Sequence, residues 1–150
     1  MTPRAAIFLH IERRWFGESR AAAWETALNA LIEELLRQPK GPDHVLSELA
    51  IIEISVVDDE TIARVHGEFL GDPTPTDVIT FPHGDGVGEI LVSADTAETY
   101  ATAHGLAREE ELFRYMVHGL VHLHGYLDST PEERAQLFTL QEPLAERFLP

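Results

Sequence analysis

Two histidines four residues apart, His118 and His122, stand in the apolar segment 115–128, YMVHGLVHLHGYLD. On a helix this spacing places both imidazoles on one face, one turn apart. Two imidazoles so placed can bind one metal ion, and imidazole suits zinc, copper, iron and nickel. Gly125 is a candidate helix stop, because glycine readily adopts the left-handed conformation, and the chain can then return Asp128 as a third ligand. The sequence therefore predicts a metal site of His118, His122 and Asp128 with one open position.

Two neighbouring residues bear on what this site can do. The usual zinc-peptidase pattern, H-E-x-x-H, places a glutamate as general base after the first histidine, but Gly119 stands there. This difference argues against peptide hydrolysis. His124 lies about 120° round the helix from His118, and we interpret it as a last-turn residue that interacts with the helix dipole. The alternative is that His124 is a further ligand, which would favour a structural zinc site.

The same segment resembles a known family. HGLVHLHGYLD is similar to the HGxLHLxGYxH signature of the YbeY family of bacterial rRNA maturation endoribonucleases. The resemblance implies that His118, His122 and the residue at position 128 bind zinc. The family has a histidine at that last position, where this chain has Asp128. A carboxylate oxygen is an acceptable zinc ligand, and it makes the site harder and more negatively charged.

Two further segments agree with this resemblance. The segment 69–82, FLGDPTPTDVITFP, is similar to the family's YRGKDxPTDVLSFP, and the segment 88–93, GEILVS, is similar to GDIxIS. The family's arginine in the first of these blocks falls on Leu70 in this chain. Because that arginine is thought to serve ribonuclease activity, its replacement bears on the strength or mechanism of cleavage.

Three further residues are candidates for contact with a substrate. Thr76 and Asp77 follow two prolines that fix the loop before a predicted strand, and rigid loops often carry functional groups. Either residue could bind substrate or orient a ligand histidine, and for Asp77 the alternative is a turn-capping carboxylate. Arg114 lies one turn before His118 on the same face and is a candidate phosphate contact; a surface charge is the alternative. We take His118 and Asp77 as the candidate catalytic residues.

The composition limits the class of protein. A chain of 150 residues predicts one domain over residues 1–150. The absence of cysteine excludes disulfides and thiolate ligands and is typical of a reducing cytoplasm. We see no signal-peptide pattern and no apolar run of membrane-span length, so we expect a soluble cytoplasmic protein with no membrane partner.

The charge of the chain is strongly acidic. Eleven Lys and Arg stand against 26 Asp and Glu, which gives a formal net charge of −15. Non-specific nucleic-acid binding depends on phosphate contacts from basic side chains. If RNA is the substrate, we therefore expect local contacts through arginine side chains and the metal. The alternative interpretation is that the acidity keeps a small protein soluble.

Hydrophobic periodicity predicts the order strand, helix, strand, helix, two strands and three helices. We expect an α+β layered domain whose first strands pair in parallel, with a hairpin adding an antiparallel strand. The resemblance implies a small mixed four-stranded sheet packed with about five helices, with a zincin-like metal helix beside a cleft. Asp95 is predicted to cap one helix, and Pro143 to kink the last helix or end it early. The predicted strands are Ala5–Glu12, Leu49–Val57, Val78–Phe81 and Glu89–Ser93.

The resemblance implies a metal-dependent, single-strand-specific endoribonuclease that acts in rRNA maturation, at the 16S rRNA 3′ end, and in ribosome quality control. The implied partners are rRNA or other single-stranded RNA and the ribosome or small-subunit proteins. A zinc or other divalent ion at the site could polarise a phosphoryl oxygen or activate water.

Two alternatives stay open. One is a metallohydrolase of another substrate, and the other is a non-catalytic ribosome-assembly factor with a structural zinc. The replaced arginine and the acidic surface favour the assembly factor. Three ligands with an open fourth position favour chemistry.

Overall fold

The computed structural model describes residues 2–11 and 15–150. Within these residues the chain forms four strands, five α-helices and one short 3-10 helix, in the order that the periodicity predicts. The predicted end of the first strand, Glu12, lies outside the described residues. The elements are β1 (Arg4–Leu9), α1 (Glu18–Leu35), the 3-10 helix (Leu46–Glu48), β2 (Ile51–Val57), α2 (Asp59–Leu70), β3 (Val78–Pro82), β4 (Val87–Ser93), α3 (Ala94–His104), α4 (Arg108–Leu123) and α5 (Pro131–Phe148).

The four strands form one mixed sheet in the order β1-β2-β4-β3. β2 lies between β1 and β4 and pairs in parallel with both, while β3 pairs antiparallel with β4. Parallel neighbours need a long crossover, and α1 supplies it between β1 and β2. A tight turn containing Gly86, at φ 75°, joins β3 to β4 as a hairpin. The expected α+β domain with a small mixed sheet and five helices is confirmed.

The two faces of the sheet are covered unequally. Alternate residues of β2, namely Ile52, Ile54 and Val56, belong to the larger core, which contains buried residues of α1, α4 and α5. Residues on the opposite face of the sheet pack against α2 in a smaller cluster. Its buried members are Val57, Ile62, Ile79 and Leu91. The larger core therefore holds α4, which carries both candidate histidines, firmly against the sheet.

Helix α4 lies unusually close to β4 because residue 119 has no side chain. A Cβ at Gly119 would lie 2.7 Å from Cγ2 of Ile90, nearer than real Cβ atoms approach other atoms. The backbone of α4 can therefore approach the sheet only with glycine there. This packing also explains why the glutamate of H-E-x-x-H is missing, since a side chain at 119 would point into the sheet.

Helix α5 begins with the predicted capping box. The Thr130 side chain accepts from the backbone N–H of Glu133, and the Glu133 carboxylate accepts from the backbone N–H of Thr130. The helix then continues through Pro143, so the predicted early end there is wrong. Leu144 and Ala145, which follow the proline, are buried. Their burial against the core stabilises the last turns despite the missing N–H.

Helix α3 begins two residues earlier than expected. Its N-cap is Ser93, whose Oγ accepts from the backbone N–H of Thr96, so the predicted cap by Asp95 is wrong. The Asp95 carboxylate instead accepts from the backbone N–H of Asp59 at the start of α2. No helix of the described ranges combines the length and apolar composition that a membrane span requires.

Candidate metal centre

The side chains of His118, His122 and Asp128 converge beside the last turns of α4. Nε2 of His122 lies 3.2 Å from Oδ2 of Asp128, and Nε2 of His118 lies 3.7 Å from the same oxygen. The centres of the two imidazole rings are 4.5 Å apart. One donor atom from each of the three side chains lies within 4.8 Å of the other two. The fold thus brings the three predicted ligands to one point.

The spacing of these atoms suits a small divalent ion. Tetrahedral zinc with ligands at about 2.0–2.1 Å has neighbouring ligand atoms about 3.3 Å apart. The two distances from Oδ2 of Asp128, 3.2 and 3.7 Å, bracket that separation. Two imidazole nitrogens and one carboxylate oxygen also form a common catalytic zinc donor set. The residues present therefore fit a metal ion with one position free for solvent or substrate.

The turn after α4 returns Asp128 to the histidines. Gly125 has φ 101°, so the predicted left-handed helix stop is confirmed. The turn packs backbone to backbone on the loop after α1. The approach is so close that a Cβ at Gly125 would lie 2.5 Å from the carbonyl oxygen of Gly41. Glycine at both positions permits this close approach. The third candidate ligand, Asp128, consequently follows a fixed turn rather than lying on a free loop.

Each histidine is oriented by a hydrogen bond from its second ring nitrogen. Nδ1–H of His122 donates to the backbone carbonyl oxygen of Tyr126 at 2.8 Å. Nδ1–H of His118 donates to Oε1 of Gln141 at 2.7 Å, and the amide nitrogen of Gln141 in turn donates to Glu142. These bonds place the hydrogen on Nδ1 in both rings. Both Nε2 lone pairs therefore face the same point, as metal ligation requires.

The electrostatics of the site keep His118 neutral. Burial, together with the neighbouring ring of His122, holds the pKa of His118 below its usual range. A histidine binds metal through its neutral imidazole, so this shift lowers the competition from protons.

Gln141 was missed by sequence reasoning. It lies on α5 four residues after Leu137, so the two residues share the buried face of the helix. Its side chain is only 1% exposed. A polar residue on an apolar stripe needs a hydrogen-bond partner, and that pattern was the available signal. The identity of the partner, His118, is set by the packing of α5 on α4.

His124 has a structural role away from the metal group. It is completely buried, and its Nε2–H donates to the backbone carbonyl of Gln38 at 2.9 Å, after the end of α1. Burial lowers the pKa of His124, which favours the neutral ring. Its Nδ1 is buried without a hydrogen-bond partner among the described residues. His124 is therefore outside the metal group in this arrangement, and as the C-cap residue of α4 it lies at the helix end, where we expected it to interact with the helix dipole.

Thr76 and Asp77 lie where the sequence places them, in the cleft beside His118. Oδ1 of Asp77 accepts from the backbone N–H of Val78 at 2.8 Å and from Oγ1 of Thr76 at 3.3 Å. The carboxylate thus caps the start of β3, as the alternative interpretation has it. It is also solvent-exposed and borders the candidate metal centre, so one group can serve both purposes.

Arg114 also lies in the cleft, but its charge is already balanced. Its Nε lies 3.0 Å from both carboxylate oxygens of Glu142, and its Nη1 binds Glu111, which is buried. These two carboxylates raise the pKa of Arg114 despite its partial burial. The predicted phosphate contact by Arg114 therefore needs the ion pair with Glu142 to open.

Leu70 occupies the cleft position at which the family has arginine. It is the last residue of α2, it is 60% exposed, and it borders the same cleft as His118, His122 and Asp128. Its neighbour Phe69 is exposed as well and contacts Phe81 edge to face at 5.4 Å. Here the cleft wall is apolar where a cation would favour RNA.

Comparison with known proteins identifies relatives of this chain. A family model described as "Endoribonuclease YbeY" matches residues 14–149. Two curated proteins named Endoribonuclease YbeY are similar to this chain. The one from Sulfurihydrogenibium sp. is 34% identical over an alignment of 118 residues, and the match covers 71% of this chain and 78% of the relative. The one from Bacillus licheniformis is 32% identical over an alignment of 134 residues, and the match covers 79% of this chain and 84% of the relative.

A solved structure has the same fold. The solution structure of TM1509 from Thermotoga maritima is similar with a TM-score of 0.60 and 26% sequence identity, covering 96% of this chain and 88% of that one. The family match spans the whole sheet after β1, the cleft and the candidate metal centre. From the ligand geometry and these matches together, the chain belongs to the Endoribonuclease YbeY family.

Proposed function

We propose that this protein is a zinc-dependent endoribonuclease that cleaves single-stranded RNA during rRNA maturation, including the 16S rRNA 3′ end. The observation that carries this proposal is the convergence of two Nε2 atoms and one carboxylate oxygen at an open cleft. Membership of a family whose curated proteins are named endoribonucleases supports RNA as the substrate class. Another divalent metal is the variant of this proposal that the donor set permits.

The residues of the site have separate tasks in this proposal. His118, His122 and Asp128 hold the ion, which when bound polarises a phosphoryl oxygen and activates water. Asp77 borders His118 and has an exposed carboxylate that can accept a proton from the attacking water. Thr76 offers its hydroxyl to the substrate beside the metal.

The acidic surface restricts how RNA can approach. Among the described residues that line the cleft, Arg114 alone is a lysine or arginine, and two carboxylates bind it. Phosphate contacts therefore supply little non-specific affinity. We propose that RNA is positioned mainly by the metal and by groups that bind bases, with Arg114 as a phosphate contact only after its ion pair opens.

We also propose a setting for this activity. The partners are rRNA, the ribosome or small-subunit proteins, the compartment is the cytoplasm, and quality control of ribosomes is part of the role. These partners are the ones that the family resemblance implies.

A non-catalytic ribosome-assembly factor with a structural zinc is the second candidate. The specific observation in its favour is that, among the described residues lining the cleft, the one arginine is paired with carboxylates and Leu70 stands where the family has arginine. Peptide hydrolysis is less well supported, because Gly119 packs on Ile90 and leaves no place for the usual glutamate.

The test pairs metal analysis with RNA cleavage. The purified protein is expected to hold about one zinc per chain and to cleave a single-stranded fragment from the 3′ end of 16S rRNA. His122→Ala should lose both properties, whereas His83→Ala, at an exposed histidine outside the metal group, should keep both. Metal retained by His122→Ala would end the ligand assignment. Metal binding without cleavage by the wild-type protein would favour the assembly factor.

A further inference from the structure

A groove of about 620 Å³ runs from His118 between α3, α4 and α5. The ring of Tyr100 on α3 and the ring of Phe138 on α5 both line it, and each residue is 44% exposed. The ring of Phe138 lies 6.4 Å from the ring of His118. Two accessible aromatic side chains therefore border a cavity that opens directly onto the candidate metal centre.

The polar groups of this groove are fixed and mostly accept hydrogen bonds. Glu111 and Gln141 are buried and engaged, Glu111 with Arg114 and Gln141 with His118. Burial and the nearby Glu111 raise the pKa of Tyr115, so its hydroxyl stays protonated. The charge of Arg114 is balanced, as described above. Among the described residues that line it, the groove consequently offers the exposed carboxylates of Asp77 and Glu142, which can accept further hydrogen bonds, but no cation without a carboxylate partner.

These features select the kind of group that fits. A phosphate is repelled by the exposed carboxylates of Asp77 and Glu142, and a purely apolar ligand would displace water from them without replacing its hydrogen bonds. An uncharged planar ring with N–H donors can stack on Phe138 and on the face of Tyr100 that His104 does not cover, and can donate to these oxygens. A nucleobase has both properties, and stacking of bases on aromatic side chains contributes to single-strand binding whatever the base.

We propose that the groove between Tyr100 and Phe138 is a subsite for one unpaired nucleobase, next to the phosphate that the metal engages. This inference rests on the proposed function, because it assigns the position of a base in the same RNA. The metal centre then binds the backbone while the groove binds the adjacent base. Entry into this subsite requires a base whose faces are not stacked in a duplex, which agrees with the proposed single-stranded substrate.

The first test is equilibrium binding of a fluorescently labelled single-stranded RNA to the zinc-loaded full chain, with phosphorothioate linkages in the RNA to suppress cleavage. Phe138→Ala should weaken binding about tenfold, which lies within the roughly 5- to 150-fold that stacking of one base on an aromatic side chain typically contributes. Phe138→Trp should bind RNA about as tightly as the wild type, because tryptophan also offers an aromatic face for stacking. Phe8→Ala is the matched control, because Phe8 is 45% exposed on β1 and does not line the groove. Equal binding by wild type and Phe138→Ala, or no RNA binding by the wild type, would overturn the subsite.

A second probe separates bases from backbone. An abasic ribose-phosphate strand of the same length should bind the wild type more weakly than RNA does, and Phe138→Ala should weaken the abasic strand no further. An equal loss for both strands in Phe138→Ala would assign the groove to backbone contacts and overturn the proposal. Because Phe138 is half exposed, Phe138→Ala should melt close to the wild-type temperature. If its Tm falls by a large amount, Tyr100→Ala provides the same test, and the same tenfold loss of RNA affinity is expected.

The outcomes distinguish this inference from the proposed function. If the metal-loaded wild type cleaves RNA, and Phe138→Ala changes neither KM nor RNA affinity, the subsite assignment is wrong and the nuclease proposal stands. If RNA binding depends on Phe138 but the protein cleaves no RNA, the subsite assignment stands and the nuclease proposal is wrong. An arginine-rich peptide that depends on Phe138 for binding, while RNA does not, would make the groove a protein-docking site and overturn the base assignment.

Discussion

Oε1 of Gln141 on α5 lies 2.7 Å from Nδ1 of His118 on α4. This hydrogen bond joins two helices through residues that are 23 positions apart in the chain. The amide of Gln141 is itself oriented by Glu142, so the acceptor oxygen faces the histidine. This contact fixes the ring that faces the metal position without touching the metal. Loss of such an outer partner typically costs metal proteins about 10–100-fold in affinity or activity.

Gln141→Leu is therefore expected to lower zinc affinity about 10–100-fold. Gln141→Glu should keep the affinity, because a carboxylate oxygen can also accept from Nδ1–H. Competition against a chromophoric chelator measures both variants, and urea denaturation checks that each one folds. Wild-type affinity in a folded Gln141→Leu would show that the ring needs no outer partner.

Asp128 distinguishes this chain from the family pattern, and its replacement tests the ligand set. Loss of a residue that only orients a ligand typically lowers metal affinity about 10–100-fold. Asp128→Ala should lower zinc affinity by more than this, because it removes a proposed ligand itself. Asp128→His should retain zinc and bind Mn²⁺ less well relative to zinc, because carboxylate suits manganese better than imidazole does. Competition between the two ions measures this ratio. An unchanged ratio in Asp128→His would mean that residue 128 does not contact the ion.

Leu70→Arg restores the family's cation at the exposed edge of the cleft. One added phosphate contact should tighten single-stranded RNA binding and steepen the plot of log K against log salt by about 0.7. Ala30→Arg, at an exposed position on α1, adds the same charge away from the cleft and should leave the slope nearly unchanged. Equal slopes for the two variants would place residue 70 outside the path of the RNA.

Gly119→Ala tests the close packing of α4 on β4. The new Cβ would overlap Ile90, which is fully buried and branched at the point of contact. Such overpacking typically costs about 1–3 kcal/mol, more than the roughly 1 kcal/mol that alanine gains over glycine in a helix. Urea unfolding should show the loss, and Ile90→Ala in the same chain should recover part of it.

Gly17→Ala serves as its control, because no described residue other than its chain neighbours lies within 4 Å of a Cβ there. It should change the free energy of unfolding by only a few tenths of a kcal/mol to about 1 kcal/mol, the usual range for an N-cap change. A Gly119→Ala protein as stable as Gly17→Ala would mean that α4 can shift without cost.

The elements followed from local patterns for a clear physical reason. The alternation in β2 and the apolar stripe of α1 repeat with the periods of a strand and a helix, so the neighbours of each residue determine them. The cap of α3 was misplaced because Ser93 and Asp95 are both good capping residues. Tertiary contact with Asp59 recruited the carboxylate of Asp95 elsewhere.

The sequence by itself determined that His118 and His122 share a helix face and that the chain turns at Gly125, because helix geometry and glycine conformation are local properties. Only the tertiary structure decided that Gln141 orients His118, that Arg114 is neutralised by Glu142, and that an aromatic groove opens beside the metal position. Those relationships come from the packing of α3 and α5 against α4. Packing between distant segments leaves no periodic signal along the chain, which is why the ligands could be predicted and their surroundings could not.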